Sequence, residues 1–224
     1  MLTSEIVKEY AISAGARVAG IAAAGDFTRA PEGFRPTDAL EGCVSVIVMG
    51  APIPREAVLS DDMLGFIGIR SALNRELKEA AKQVAKQIKA AGYKSRAIGG
   101  MDGKWVEGNT RGPISLKHAT ELAGLGVIGR NYLLTNPEHG NLLWLSAVLT
   151  DAPLTPDLRL AIDLCGNCNQ CVAACPANAL DPPGTVIKKA CDKHMFKQVN
   201  KKWEIMCFLC RKVCPHRFGI KEAS

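Results

Sequence analysis

The sequence predicts an α/β (α+β) domain over residues 1–155, followed by a small cysteine-rich domain over residues 156–224. Three observations carry this reading. Helical apolar stripes alternate with short β-branched runs as far as about residue 150. Only Cys43 lies before residue 165, and the other eight of the nine cysteines fall between Cys165 and Cys214. Two prolines, Pro153 and Pro156, punctuate the junction. The 224 residues are 47% hydrophobic, enough to bury a core. Aromatics are only 5% and glycines number 21, which suits compact α/β packing better than an aromatic-rich β-sandwich.

The elements follow in order. Thr3–Ala14 sets Ile6, Val7, Ala11 and Ile12 on one helical stripe, with Gly15 as its stop. Val18–Ala24 reads as a strand and Ala30–Thr37, with its prolines and glycine, as a loop. Cys43–Gly50 is apolar and β-branched, as a strand buried on both faces should be. Ile69–Ala91 is an amphipathic helix with Leu73, Leu77, Ala81, Val84 and Ile88 on one side. Gly92 ends it, and Tyr93–Ile98 is the next strand. Gly99–Gly112 is glycine-rich without periodicity and reads as a ligand-facing loop. Ser115–Ala123 reads as a short helix. Tyr132–Thr135 and Leu142–Thr150 read as strands joined by a hairpin connection at Asn136–Gly140.

The cysteines carry the strongest signal. Cys165, Cys168, Cys171 and Cys175, followed by Pro176, reproduce the C-x2-C-x2-C-x3-C-P run of bacterial ferredoxins. Cys207, Cys210, Cys214 and Pro215 repeat its end, and Cys191 stands sixteen residues earlier, displaced by an insertion. A short loop turns three thiolates toward one cubane, while the fourth cysteine leads away toward the other. This crossed ligation assigns one [4Fe–4S] cluster to Cys165, Cys168, Cys171 and Cys214, and a second to Cys191, Cys207, Cys210 and Cys175. Zinc also uses C-x2-C pairs, but rarely in two proline-terminated runs of this kind. Cys43, inside an apolar run, reads as a small buried hydrophobe rather than a redox thiol.

The formal net charge is +6. Two clusters with their thiolates, at about −2 each, would lower it to about +2. The basic balance is therefore poor ground for a nucleic-acid partner. The N-terminus lacks the apolar run of a signal peptide, and the longest apolar stretches, Val44–Gly50 and Leu142–Leu149, are strand-sized. The chain reads as cytoplasmic, with no membrane partner.

Gly124-Leu125-Gly126-Val127-Ile128-Gly129 matches G-x-G-x-x-G, but the dinucleotide fingerprint needs a strand before it and a helix after it. Here the order is reversed. The glycines instead allow close backbone approach, to another element or to a large planar ligand.

The stretches Ala123–Asn131, Asn141–Leu154 and Cys165–Leu180, the displaced Cys191 and the final Cys207–Pro215 together resemble epoxyqueuosine reductases. Reductive dehalogenases share the plan more distantly. The resemblance implies a nitroreductase/corrinoid-reductase-like α/β domain followed by a ferredoxin-like domain with two [4Fe–4S] clusters. It implies cobalamin held base-off near Gly124, Leu125, Gly126, Gly129, Arg130 and Asn131, with Arg130 where the family has lysine. A flavin is the alternative cofactor. Electrons would pass from an external donor such as ferredoxin or flavodoxin, through the clusters, to that cofactor and on to a small-molecule or protein acceptor.

Two departures bear on function. The position of the family's proton-donating aspartate is Thr110, with Asp102 and Glu107 nearby. The chain also stops ten residues after Cys214, where relatives continue into tRNA-reading helical repeats. Both argue against epoxyqueuosine reduction in tRNA, and they point to a short member with another substrate or a non-enzymatic electron-transfer or corrinoid-activating role. His118 reads as a surface or core-satisfied histidine and His139 as a solvated turn residue. His194 and His216 flank cluster cysteines, where a hydrogen bond to sulfur could tune potential. Lys188, Lys189, Lys193, Lys197, Lys201 and Lys202 form a basic stretch with Asp192 as its one acid. It reads either as a docking face for an acidic donor or as a solvated surface offsetting the clusters.

Overall fold

A computed structural model of the chain describes residues 2–106, 109–181 and 185–220. Helix α1 (Ser4–Ser13) begins where the Thr3 hydroxyl accepts the Ile6 N–H, and it leads into β1 (Val18–Ala23). The short α2 (Pro36–Ala39), strand β2 (Ser45–Pro52) and α3 (Arg55–Leu59) follow. The long α4 (Met63–Ala90) starts where an Asp62 oxygen accepts the Gly65 N–H, six residues before its apolar stripe becomes legible. Strand β3 (Ser95–Ile98) comes next.

Gly99–Gly112, expected to be an open loop, contains a small antiparallel pair, β4 (Lys104–Val106) and β5 (Asn109–Arg111). Each strand has only three residues, too few for an alternation to show, so periodicity did not signal the pair. Helix α5 (Leu116–Leu122) then runs to Ala123.

The main sheet has order β1-β2-β8-β3 and is antiparallel throughout, with β8 (Leu143–Thr150) at its centre. Here the hairpin expectation fails. The segment near Tyr132 gives only β7 (Leu134–Thr135), which pairs with β6 (Val127–Ile128) and not with β8. The Asn136–Gly140 turn closes on itself through a bridge between its two ends.

The sheet alternates its apolar side chains between two helical layers. Ile21, Ile47, Met49 and Val148 face α1 and α4, packing against Val7, Ala11, Leu77, Ala81, Val84 and Ile88. Their neighbours Ala22, Val46, Val48, Ala147 and Leu149 face α5, against Ala119 and Ala123. Most of these side chains are fully buried, and each of the larger ones contributes about 1.5–3 kcal/mol relative to exposure. Burial on both faces explains why β2 and β8 read as continuous apolar runs rather than alternating ones. Cys43 lies just before β2, buried, its thiol held above the ordinary range by burial; it is the small core residue expected.

Beyond Thr150 the chain crosses the edge of this sandwich as a strap. The Asp157 N–H donates to the Ile21 carbonyl, and its carboxylate accepts the Ile21 N–H and the Lys8 ammonium. The cysteine-rich part follows: α6 (Gln170–Ala173), the pair β9 (Leu180–Asp181) and β10 (Thr185–Val186), α7 (Lys188–Met195), the hairpin β11 (Phe196–Val199) with β12 (Lys202–Ile205), and α8 (Leu209–Lys212). It docks onto the first part. Phe208 stacks on Phe66 at 4.8 Å, and buried Arg70 meets Glu204 at 2.7 Å. Among the described residues no helix is long and apolar enough to cross a membrane.

Candidate functional site

The site grows from the end of α5. The Gly124 N–H reaches the Glu121 carbonyl and the Leu125 N–H the Thr120 carbonyl, a closure that places Gly124 at φ +70°. A Cβ on Gly124 would stand 2.1 Å from the Leu158 carbonyl of the strap, and one on Gly126 2.6 Å from the Thr135 carbonyl. Leu125 packs against Gly20 and the α5 side of the core. Gly124, Leu125 and Gly126 thus serve packing within the protein. A helix precedes this motif and a strand follows it, so the dinucleotide reading stays closed.

The second half of the segment turns toward the cysteines. A Cβ on Gly129 would lie 3.4 Å from Cys165 Sγ. The Arg130 N–H points at the same sulfur at 3.4 Å, while its guanidinium donates to the Gly166 carbonyl at 2.7 Å and to the Asn169 side chain. Buried Asn131 donates to the Cys210 carbonyl at 3.1 Å and accepts the Leu133 N–H. Arg130 therefore grips the first cysteine loop and Asn131 the second. Tyr132 follows in the left-handed region at φ 58°, and its carbonyl accepts the Lys117 ammonium at 2.6 Å.

Cys165, Cys168, Cys171 and Cys214 line one small cavity with Gly129, Arg130, Asn131, Thr135, Leu164, Pro215 and His216. Three of these cysteines come from the first run and the fourth from the end of the last, brought together by the packing of α6 against α8. Burial, and then the neighbouring thiols Cys214, Cys165 and Cys168, push the Cys171 thiol up. Cys191 is raised by burial and then by Asp192, Cys175 and Cys207. Burial pushes Cys210 up to about 11, with Arg211 opposing and Cys191, Cys207 and Cys171 adding. Cys175 and Cys207 thus neighbour Cys191, and Cys210 stands between that group and Cys171 of the first run.

The donors suit an anionic polynuclear group. Four half-buried thiols cannot all ionise unaided, and a metal that takes them as thiolates removes that cost. Backbone N–H groups already point at sulfur, from Arg130 to Cys165 and from Ala179 to Cys175 at 3.3 Å. The Nδ1 of His216, beside the first set, is buried and has no hydrogen-bond partner; an inorganic sulfide would accept from it. Among the described residues no three Cys, His, Asp or Glu side chains converge tightly enough to hold a single ion. The first set surrounds a space instead.

A larger cleft of about 630 Å³ adjoins that cavity. Glu121 and Val127–Arg130 form one wall and Leu160–Gly166 the other, and Cys165 belongs to both spaces. Gly129 and Arg130 line it, whereas Gly124, Leu125, Gly126 and Asn131 do not. The strap wall, Leu160–Leu164, escaped sequence reasoning because it carries no motif. Its alternating apolar residues Leu158, Leu160, Ile162 and Leu164, outside any regular element, were the available signal.

The remaining polar residues sort as follows. Asp102 accepts the Lys78 ammonium and the Gly99 N–H; burial opposes ionisation, but these contacts hold its carboxyl below the ordinary range. It is therefore an anion at neutral pH and no proton donor. Thr110 sits on β5, its side chain outside the described residues, as is Glu107. His118 shares a hydrogen bond with the Ser115 hydroxyl at 2.7 Å and meets the Tyr132 ring edge-on. Burial pushes the Lys117 ammonium down to about 8, with Arg211 and Lys188 adding to the effect.

No protein-family profile matches the chain. Its sequence is 36% identical over 118 residues to an epoxyqueuosine reductase of Listeria monocytogenes, covering 48% of this chain and 31% of that protein. To the epoxyqueuosine reductase of Gloeobacter violaceus it is 29% identical over 178 residues, 74% of this chain and 51% of that protein. The matched stretches thus span a third to a half of those relatives' length. In fold, the chain superposes on an epoxyqueuosine reductase with a TM-score of 0.72 at 20% identity, covering 95% of this chain and 65% of the other. A catabolic reductive dehalogenase gives a TM-score of 0.73 at 21% identity, covering 98% of this chain and 32% of the other. The fold is therefore the mixed α/β fold of those two groups of reductases. The resemblance read from the motifs stands: this chain is similar to epoxyqueuosine reductases and, more distantly, to reductive dehalogenases.

Proposed function

We propose that the chain is an iron–sulfur oxidoreductase with two [4Fe–4S] clusters in a ferredoxin-like part, passing low-potential electrons to a corrinoid in the cleft beside the first cluster. Cys165, Cys168, Cys171 and Cys214 would hold the first cluster, and Cys191, Cys207, Cys210 and Cys175 the second. The observation that carries the reading is that Cys165 lines both the thiol cavity and the large cleft. A cofactor there would lie against the first cluster's ligand loop, and electron transfer falls steeply with distance. The similarity to reductases supports the redox class, and a reductive dehalogenase sharing the fold performs B12-dependent dehalogenation.

A bound corrinoid supplies cobalt that cycles between oxidation states. The chain's own residues do the rest. Arg130 and Asn131 fix the two cysteine loops against the α5 segment, which keeps the clusters and the cleft in register. The glycine at position 129 leaves the backbone open beside Cys165. Leu160, Ile162 and Leu164 give the strap wall apolar side chains against which a ligand could pack.

A Bacillus subtilis epoxyqueuosine reductase has an aspartate-bearing catalytic loop. On the motif resemblance, Thr110 takes the place of the family's aspartate in this chain, which would leave the substrate without that carboxyl as proton donor. This favours a second reading, an electron-transfer or corrinoid-activating protein, over tRNA epoxyqueuosine reduction.

Anaerobic reconstitution with iron and sulfide followed by titration with cob(II)alamin tests the proposal. About eight irons per chain and a base-off paramagnetic signal on binding are expected. Stoichiometric zinc without iron would overturn the clusters. Cobalamin that stays base-on and unbound while FMN binds would replace the corrinoid with a flavin.

A further inference from the structure

We propose that the insertion between Ile187 and Trp203 is the docking face for an acidic one-electron carrier protein, delivering electrons at the second cysteine set. The inference rests on the reading that Cys175, Cys191, Cys207 and Cys210 hold a cluster.

The insertion is built as a platform. Cys191 lies on α7, and the next element is the β11–β12 hairpin, which returns the chain to Cys207. The register pairs Val199 with Lys202, so the hairpin closes on two residues, Asn200 at φ 48° and Lys201 at φ 65°. That tight turn matches the strand twist and leaves a stiff tip. Glu204 anchors the hairpin through buried Arg70 of α4. By the alternation of a strand, Trp203 projects from the opposite face to Glu204.

The exposed charges all have one sign. Lys189, Lys193, Lys197, Lys201 and Lys202 are exposed, as is Lys188. The one acid of the stretch, Asp192, is buried and ion-paired to Lys188. Two exposed apolar side chains belong to the same insertion, Trp203 at 68% and Ile187 at 53% exposure. The register sets Lys197 and Lys202 on the Glu204 face of the hairpin and Trp203 on the other, with Lys201 at the tip. Exposed lysines along the insertion would steer an acidic partner's encounter, and an exposed aromatic could hold it.

The partner's chemistry follows from position. The insertion carries Cys191 and leads directly into Cys207 and Cys210, whereas the cleft adjoins the first set. A carrier docked here would give one electron to the second cluster, itself oxidised by one electron as the cluster is reduced from its 2+ to its 1+ state. The electron would then pass toward the first cluster and the cleft, so donor and acceptor would use opposite ends of the relay.

The test uses the anaerobically reconstituted full chain, mixed in a stopped-flow instrument with a reduced acidic plant-type ferredoxin. For the wild type, the second-order rate of cluster bleaching should fall steeply with added salt. Reversal of the hairpin charges in Lys197→Glu, Lys201→Glu and Lys202→Glu together should lower the low-salt rate about tenfold or more and flatten the salt dependence. Trp203→Ala should slow transfer with the salt slope kept. Photochemical reduction by a small deazaflavin should be unchanged in every variant, and the iron content should stay at the wild-type level. An unchanged rate and salt slope in the charge-reversed chain overturn the docking face. So does loss of tRNA binding in that chain with electron transfer unaffected, which would assign the lysines to RNA. Failure of the wild type to take up iron removes the cluster reading itself, and the docking face with it.

Discussion

Gly124→Ala is the substitution whose effect the structure constrains most tightly. Three helices end alike: α1 on Gly15, α4 on Gly92 and α5 on Gly124, each donating its N–H to the carbonyl three residues earlier, with φ of +108°, +92° and +70°. An alanine forced into that region costs about 1–2 kcal/mol at any of them. At Gly15 and Gly92 a Cβ meets nothing within 4 Å. At Gly124 it meets the Leu158 carbonyl oxygen at 2.1 Å, a separation that requires the strap to retreat. The strap resists, because Asp157 holds Ile21 through both its N–H and its carboxylate and also pairs with Lys8 at 2.7 Å. Overpacking of this kind adds about 1–3 kcal/mol. Gly124→Ala should therefore cost about 2–5 kcal/mol, against about 1–2 for Gly15→Ala and Gly92→Ala. Urea unfolding followed by circular dichroism, on chains of matched iron content, measures all three. If Gly124→Ala were no more destabilising than Gly15→Ala, the close approach of the strap to α5 would be refuted, and one wall of the cleft with it.

Further outcomes follow from the same geometry. Cys214→Ser should abolish the cluster of Cys165, Cys168 and Cys171, leaving about half the iron, while Cys175→Ser should remove the other; paramagnetic resonance of the residual cluster distinguishes crossed from uncrossed ligation. Arg70→Met should destabilise the chain by about 2–4 kcal/mol by stranding Glu204, and Arg70→Met with Glu204→Leu should recover most of that in the same unfolding assay. Because the Asp102 pKa is depressed in the folded chain, its contribution is complete above the unfolded value of about 4 and is lost as pH falls through the lower folded value. Asp102→Asn should therefore flatten the acid limb of the stability profile below about pH 4, and an unchanged limb would deny the Lys78 contact.

Some of this was written in the sequence because its cause is local. A helix that ends on a left-handed residue needs glycine, so Gly15 and Gly92 marked the ends of α1 and α4. Core strands need apolar residues on both faces, so β1, β2 and β8 stood out as runs. Cysteine spacing is a local feature too, and it is what made the two proline-terminated runs read as candidate cluster motifs.

What only the tertiary structure decided is non-local. A strand apolar on both faces carries no mark of its neighbour, so nothing in Leu143–Thr150 announced that it lies between β2 and β3 rather than against Leu134–Thr135. The β4–β5 pair, three residues a strand, is too short for periodicity to detect. A glycine reports that space is short but not what fills it: the folded chain put the Leu158 carbonyl over Gly124 and the Thr135 carbonyl over Gly126, and left only Gly129 facing the thiols. The cleft is the clearest case. Its walls, Val127–Arg130 and Leu160–Gly166, become neighbours only when the strap is drawn across the sandwich by Asp157, a contact between residues 136 positions apart that no local propensity encodes.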